Sequence, residues 1–309
     1  MSSPLLLLPG AVGGGGIDAP VAAHYGSFYG EQRTLESGEG FVDLSHHDVL
    51  RISGPDRLRW LHDLTTQYFL DLAERTWTQA LILSPQGHVE HAFAGVDDGE
   101  SFTAATEPGA AAALIEFLDR MRFLSRVEVS DVTSELALTY RPPAGHELVP
   151  RDQLSAYAEA AGPACGLWAY EALRIARGEP RLGLDTDDRT IPNEVGWIGP
   201  AVHLDKGCYR GQETVARVHN LGRPPRRLTL LHLDGSENRL PEVGAELTQG
   251  EKVVGFVGTS ARHHELGPIA LAMVKRNVPL DAELSVEGMP AAQEVVVDPE
   301  VGLHVRPLR

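Results

Sequence analysis

The chain is poor in cysteine, in basic charge, in aromatic residues and in long apolar runs, and each shortage excludes something. Cys165 and Cys208 are its only two cysteines in 309 residues. Two thiols cannot build a disulfide framework, and they cannot alone supply four thiolates to an iron–sulfur cluster. Their scarcity fits a reducing compartment, so a cytoplasmic protein is expected. Lys and Arg number 27 against 43 Asp and Glu, a formal net charge of −16. Such a surface repels phosphate backbones and anionic membranes, so neither DNA nor a membrane is an expected partner, and the charge also argues against tRNA. The apolar run Leu5–Leu8 has no basic residue before it and is followed by Gly13–Gly16. It does not read as a signal peptide, and no later stretch is long enough to span a bilayer. Residues 1–16 are expected to form a loose or partly ordered arm. There is no P-loop, and no Gly-x-Gly-x-x-Gly opens a helix after a strand. The pairs His46-His47 and His263-His264, read as strand residues, would point to opposite faces, so no metal site is expected.

Hydrophobic residues still make up 42% of the chain, enough for a core. Val49–Ser53 alternates apolar and polar as a half-buried strand should. Ser53-Gly54-Pro55-Asp56 has the spacing of a capping box, which would open a helix. Thr76–Leu83 and His88–Gly95 flank the turn sequence Ser84-Pro85-Gln86-Gly87 and predict a hairpin. Phe102–Ala105 is a further short strand. Leu114, Phe117, Leu118 and Met121 recur at i, i+3, i+4 and i+7, which predicts a helix over 109–123. Strands are expected at 126–132 and 136–140. This order, strand–helix–hairpin–helix–strand, is a ferredoxin-like split pattern over roughly 48–141. Helices are expected at 152–161 and 168–177, the second ended by Gly178 and Pro180. Residues 178–200 are rich in Gly, Pro, Asp and Asn and read as an ordered binding loop. After Arg223-Pro224-Pro225-Arg226-Arg227, read as a linker, short apolar strands follow with no helix between them, the pattern of a small antiparallel barrel. The fold class is therefore α+β, with an N-terminal module over 1–222, the ferredoxin-like part inserted in it, and a C-terminal β-barrel over 223–309.

The stretch most informative about function is Lys206-Gly207-Cys208-Tyr209-Arg210-Gly211-Gln212-Glu213. Two glycines bracket a thiol, and glycine lets a backbone turn through positive φ or approach a neighbour closely. With Leu173–Pro180, Ile191-Pro192-Asn193-Glu194, Asp43-Leu44-Ser45 and Leu64-Thr65-Thr66, it resembles the YgfZ family of folate-binding proteins. These are relatives of the T protein of the glycine cleavage system, an aminomethyltransferase. The family signature Lys-Gly-Cys-aromatic-any-Gly-Gln-Glu matches residues 206–213 at every fixed position, so Lys206, Gly207, Cys208, Tyr209, Gly211, Gln212 and Glu213 are motif residues. The resemblance covers most of the chain from about residue 41. It implies ferredoxin-like and barrel parts around a central folate cavity, tetrahydrofolate or a derivative as cofactor, and a role in assembly or repair of iron–sulfur client proteins. The alternative it leaves is a folate-dependent aminomethyltransferase. Against that, His91 and Ala92 stand where the T protein carries its Asp-Asp pair, and alanine cannot stabilise cationic character in one-carbon transfer.

Given the resemblance, Glu194 is expected to accept the paired N–H groups of a pterin edge. Trp197 would pack against a ring, and Arg217 and Arg223 would meet the anionic glutamate tail. Cys208 could be a nucleophile, a single ligand or redox thiol, or a buried and inert residue. Its flanking glycines and Lys206 favour a functional thiol.

Overall fold

A computed structural model describes residues 1–300, and the chain divides into two compact units. Residues 1–63, 68–80 and 91–171 form one, and residues 64–67, 81–90 and 172 onward form the other.

In the first unit, strands β1 (Val12–Gly13) and β2 (Ala22–His24) pair, and helix α1 (Phe28–Glu36) follows. Strands β3 (Phe41–Asp43) and β4 (Asp48–Ser53) lead into helix α2 (Arg57–Leu64). Strands β5 (Thr78–Leu83), β6 (Val89–Asp97) and β7 (Ser101–Thr106), helix α3 (Ala111–Arg120) and strand β8 (Glu128–Asp131) complete a five-stranded sheet of order β5-β6-β7-β4-β8. Strand β9 (Leu136–Arg141) joins a different sheet, of order β10-β9-β3-β11, with β10 (Gly145–Pro150) and β11 (Ala164–Cys165). Helices α4 (Leu154–Ala160) and α5 (Leu167–Ala176) close this part of the chain.

Helix α3 forms where the periodicity predicts it. Leu114, Phe117 and Leu118 are buried on one stripe, each contributing about 2 kcal/mol by removal from water. The capping box is not made as expected. Asp56 instead accepts from the Arg126 backbone N–H at 2.8 Å and from its guanidinium at 2.6 and 3.0 Å. Those bonds hold its carboxyl at about 2. An aspartate side chain is shorter than the Glu or Gln of a capping box, and the arginine is the better partner.

The expectation of a loose N-terminal arm is also corrected. Pro4–Leu7 is a 3-10 helix capped by Ser3, whose hydroxyl donates to Asp43 and accepts from the Leu5 N–H at 3.1 Å. Leu5 is 2% exposed and packs with Phe41, Ala137, Leu154 and Ala161. Leu5 is thus core, Leu8 packs partly buried against the same cluster, and Leu7 stays exposed. The two histidine pairs fall between strands or at a strand end, so alternation does not separate them. The rings of His46 and His47 lie 4.6 Å apart, and those of His263 and His264 stack at 4.8 Å.

The second unit is built on a closed barrel of order β12-β15-β14-β13-β16-β17. Its strands are β12 (Arg226–Leu233), β13 (Glu246–Gln249), β14 (Lys252–His263), β15 (Gly267–Lys275), β16 (Leu284–Val286) and β17 (Met289–Val295). The interior is filled by Leu231, Leu247, Val257, Ala272, Val286 and Met289, all at most 1% exposed. The α+β class and the C-terminal antiparallel barrel are as the sequence indicates. Helix α6 (Gln212–Leu221), for which the sequence carries no clear apolar periodicity, precedes the barrel. Among the described residues no helix is long and apolar enough to cross a membrane.

Candidate functional site

In the second unit the candidate site residues lie on the loop between α5 and α6, on α6 and on the residues leading into β12, with the hairpin tip between β5 and β6 against them at Gly211. The hairpin tip and the octapeptide meet through glycine. Gly211 has φ +80, caps α6 and lies so close to the tip that a Cβ there would sit 2.5 Å from the Ser84 carbonyl oxygen. Gly87, at φ +86, would bring a Cβ to 2.7 Å from that of Thr214. Both positions therefore require glycine. Gly207 does not: its φ is outside the left-handed region, and nothing lies within 4 Å of a Cβ built there. Arg210 reinforces the contact by pairing with Glu90 at 2.9 Å.

Inside the octapeptide, Lys206 is 4% exposed and donates to the Thr65 carbonyl, with its ammonium 5.2 Å from the centre of the Tyr209 ring. Burial pushes the Tyr209 phenol up to about 12. Cys208 between them is exposed, which removes the buried, inert reading. That description fits Cys165, buried and with its thiol pushed up to about 12 by desolvation and then by Glu31.

The long loop is held from both sides. Near its start, Asp185 is 1% exposed and accepts from the Thr259 N–H at 2.6 Å, the Thr259 hydroxyl at 2.7 Å, the Arg181 N–H at 2.8 Å and the Arg174 guanidinium at 3.1 Å. Arg174 also donates to Thr259 at 2.6 Å and to the Glu179 carbonyl. Gly258 makes room for this cluster, since a Cβ there would fall 2.2 Å from an Asp185 oxygen. A buried charge needs a partner and filled hydrogen bonds, and Asp185 has both. Farther along, Thr66 donates to the Ala201 carbonyl at 2.6 Å and accepts from the Leu81 N–H at 3.0 Å.

Between these anchors lies the site's charged centre. Arg226 forks onto Asp187 at 2.6 and 2.9 Å and onto Glu194 at 2.9 Å twice. Glu194 also accepts from the Ile191 N–H at 3.1 Å, and its side chain has no exposed surface. Burial alone would raise the Asp187 pKa, but hydrogen bonds from Arg226 and Thr190 outweigh it and hold the carboxyl at about 2. Desolvation pulls the Arg226 pKa down, and the two carboxylates more than offset it and raise it. Beside Glu194, Asn193 is 6% exposed, and its side-chain oxygen has no hydrogen-bond partner. Trp197 is 9% exposed and ties the loop together: its N–H donates to the Pro192 carbonyl at 3.2 Å and its carbonyl accepts from the N–H groups of Ala201 and Val202.

Of the residues chosen from the sequence, Glu194 and Trp197 share this loop. Arg217 pairs with Glu213 one helical turn away and is 71% exposed, and Arg223 pairs with Glu300. The arginine in contact with Glu194 is Arg226, so the run Arg223–Arg227 is not only a linker. Asp187 lies in a stretch whose composition marks only a loop, and Asn193 in the segment Ile191–Glu194 that carries the resemblance without a role of its own. The signal available was the pairing of an acidic run, Asp185, Asp187 and Asp188, with two arginines opening an apolar strand: arginines entering a barrel wall need acids. On strand β6, Glu90 turns to Arg210 while His91 packs 5.7 Å from the Phe117 ring.

The fold is found elsewhere. The aminomethyltransferase T of the glycine cleavage system from Bartonella henselae superposes with a TM-score of 0.80 over 98% of each chain, at 17% identity. The chain has the aminomethyltransferase fold. An aminomethyltransferase of Halalkalibacterium halodurans is 25% identical over 94% of the chain and 89% of its own length. A chloroplastic protein of Arabidopsis thaliana, named for a transferase, is 24% identical over 78% of the chain, and the match spans 66% of that protein. The tRNA-modifying protein YgfZ of Escherichia coli is 40% identical over 78 residues, which are 25% of the chain and 23% of the relative. No family model matches the chain.

Proposed function

We propose that this protein binds tetrahydrofolate or a derivative at the Asp187–Asn193–Glu194–Arg226 centre. We further propose that it acts as a YgfZ-type accessory protein in assembly or repair of iron–sulfur proteins, with Cys208 as its working thiol. The observation that carries the reading is the octapeptide. It matches the family signature at every fixed position, and the fold holds its thiol exposed while Lys206 and Tyr209 on either side are buried. The donor set suits a reduced pterin, whose edge carries several N–H groups and asks for acceptors. Two carboxylates and an unpaired amide oxygen stand within one loop. Arg226 meets Glu194 with two parallel N–H groups, the pattern that a pterin edge also presents. Because Glu194 has no exposed surface and both its oxygens meet Arg226, a pterin edge would take the place of that fork while Arg226 keeps Asp187.

The second reading, a folate-dependent aminomethyltransferase, draws support from the fold and from relatives matched over most of their length. Two features favour the first. By the resemblance, His91 and Ala92 stand where the T protein carries its aspartates, and the adjacent Glu90 pairs with Arg210. The name of the Escherichia coli relative points to tRNA, which a net charge of −16 disfavours. The test is a pair of assays on one preparation: anaerobic calorimetric titration with tetrahydrofolate, and one-carbon transfer from an aminomethyl-lipoyl protein. Binding without transfer supports the accessory role, and transfer at enzymatic rates would establish the alternative.

A further inference from the structure

Asn193 is out of place as a structural residue. It is 6% exposed, and its side-chain oxygen is one of a few buried polar side-chain atoms among the described residues with no hydrogen-bond partner. Buried polar groups are nearly always satisfied, so each exception asks for its missing partner. The neighbours in the chain show that the loop can satisfy its own polar groups: Glu194 is filled by Arg226 and the Ile191 N–H, and Thr190 by Asp187. Asn193 sits on the same 3-10 turn, Pro192–Glu194, and alone keeps a free acceptor.

An amide oxygen accepts and cannot donate. Oxidised and reduced pterins differ in this respect at two ring nitrogens. In folic acid N5 and N8 carry lone pairs and are acceptors. In tetrahydrofolate both are N–H donors, while N3–H and the exocyclic amine donate in either state. A buried acceptor facing N5 or N8 would gain a hydrogen bond from the reduced ring and face a lone pair of the oxidised one. A site built to hydrogen-bond a group discriminates strongly against an analogue that lacks it, because its own polar atom is then left unpaired.

We infer that Asn193 is the residue by which this site selects the reduced form of its pterin, its side-chain oxygen accepting an N–H that only the reduced ring carries. The inference rests on the folate reading above and goes beyond it, assigning redox selectivity to one atom.

The experiment is a two-by-two titration. Wild-type protein and Asn193→Leu are each titrated with tetrahydrofolate, under argon with reductant, and with folic acid. Asn193→Asp, which keeps an acceptor, is the conservative control, and circular dichroism establishes that each variant is folded. The expected result is a wild type that prefers tetrahydrofolate, with Asn193→Leu losing about tenfold in affinity for tetrahydrofolate and little for folic acid, and Asn193→Asp keeping the preference. An equal loss for both ligands, or none for either, overturns the assignment and leaves the folate reading standing. A wild type that prefers folic acid would mean that the amide NH2 faces the ring, and overturns it as well. A wild type that binds neither ligand removes the folate reading and this inference together.

Discussion

Replacing Arg226 by methionine tests whether the charged centre is as tightly coupled as its geometry states. Methionine keeps much of the apolar stem and deletes the guanidinium. Glu194 would then be a carboxylate with no exposed surface and one remaining donor, the Ile191 N–H. Asp187, whose side chain is 33% exposed, would keep Thr190 and the Arg189 N–H. Breaking a buried ion pair from one side costs about 3–5 kcal/mol. Because Asp187 is partly solvated, the lower part of that range is expected, about 3 kcal/mol. For a cooperative unit of about 150 residues, this lowers Tm by roughly 10 °C. The pH dependence carries a sign. The Asp187 carboxyl is held at about 2, below the ordinary value of 3.8. A depressed carboxyl contributes stability above its unfolded pKa and loses it as pH falls through the folded value. The gap between wild type and Arg226→Met should therefore be full at pH 6–7 and narrow between about pH 4 and 2. Urea unfolding at a series of pH values measures it. A gap below about 1 kcal/mol at pH 7, or one that stays constant down to pH 3, would refute the argument that Arg226 compensates buried carboxylates.

Three further outcomes follow from the same geometry. Gly211→Ala should destabilise by about 2 kcal/mol or more, through both its positive φ and the Ser84 carbonyl 2.5 Å away, whereas Gly207→Ala should stay within about 0.5 kcal/mol; paired thermal melts compare them. Leu5→Ala should cost about 2–3 kcal/mol in a denaturant titration, since Leu5 is core and not arm. Cys208→Ala should leave Tm and folate affinity unchanged, because the thiol is exposed, and should lower the activity of iron–sulfur enzymes in cells carrying it as the sole copy.

Periodicity and turn chemistry made much of the architecture legible. Leu114, Phe117 and Leu118 announced helix α3, and the turn sequence Ser84–Gly87 announced its hairpin, because in both cases a local rule and the tertiary fold agree. The short apolar strands after residue 225 gave the barrel. Misreadings arose where local composition suggested one thing and a distant partner decided another. Leu5–Leu8 looked like a tail because its partners, Phe41, Ala137 and Leu154, lie far along the chain. Asp56 looked like a cap because Arg126 is 70 residues away. In the candidate site, the resemblance singles out Glu194, which the fold buries against Arg226, and the rule that glycine marks close approach holds for Gly211. Arg226 was hidden inside a proline-flanked run, and Asp187 inside an acidic loop. An ion pair between residues 39 apart has no signature in spacing, so the contact of Arg226 with Asp187 is visible only in the fold.

The central claim is that the loop from Asp187 to Trp197 binds a reduced folate through Glu194. Calorimetric titration of the wild type and of Glu194→Ala with tetrahydrofolate tests it most directly. The account predicts saturable one-to-one binding by the wild type, weakened at least tenfold in a variant that remains folded. Unchanged affinity in Glu194→Ala, or no binding by the wild type, would contradict it.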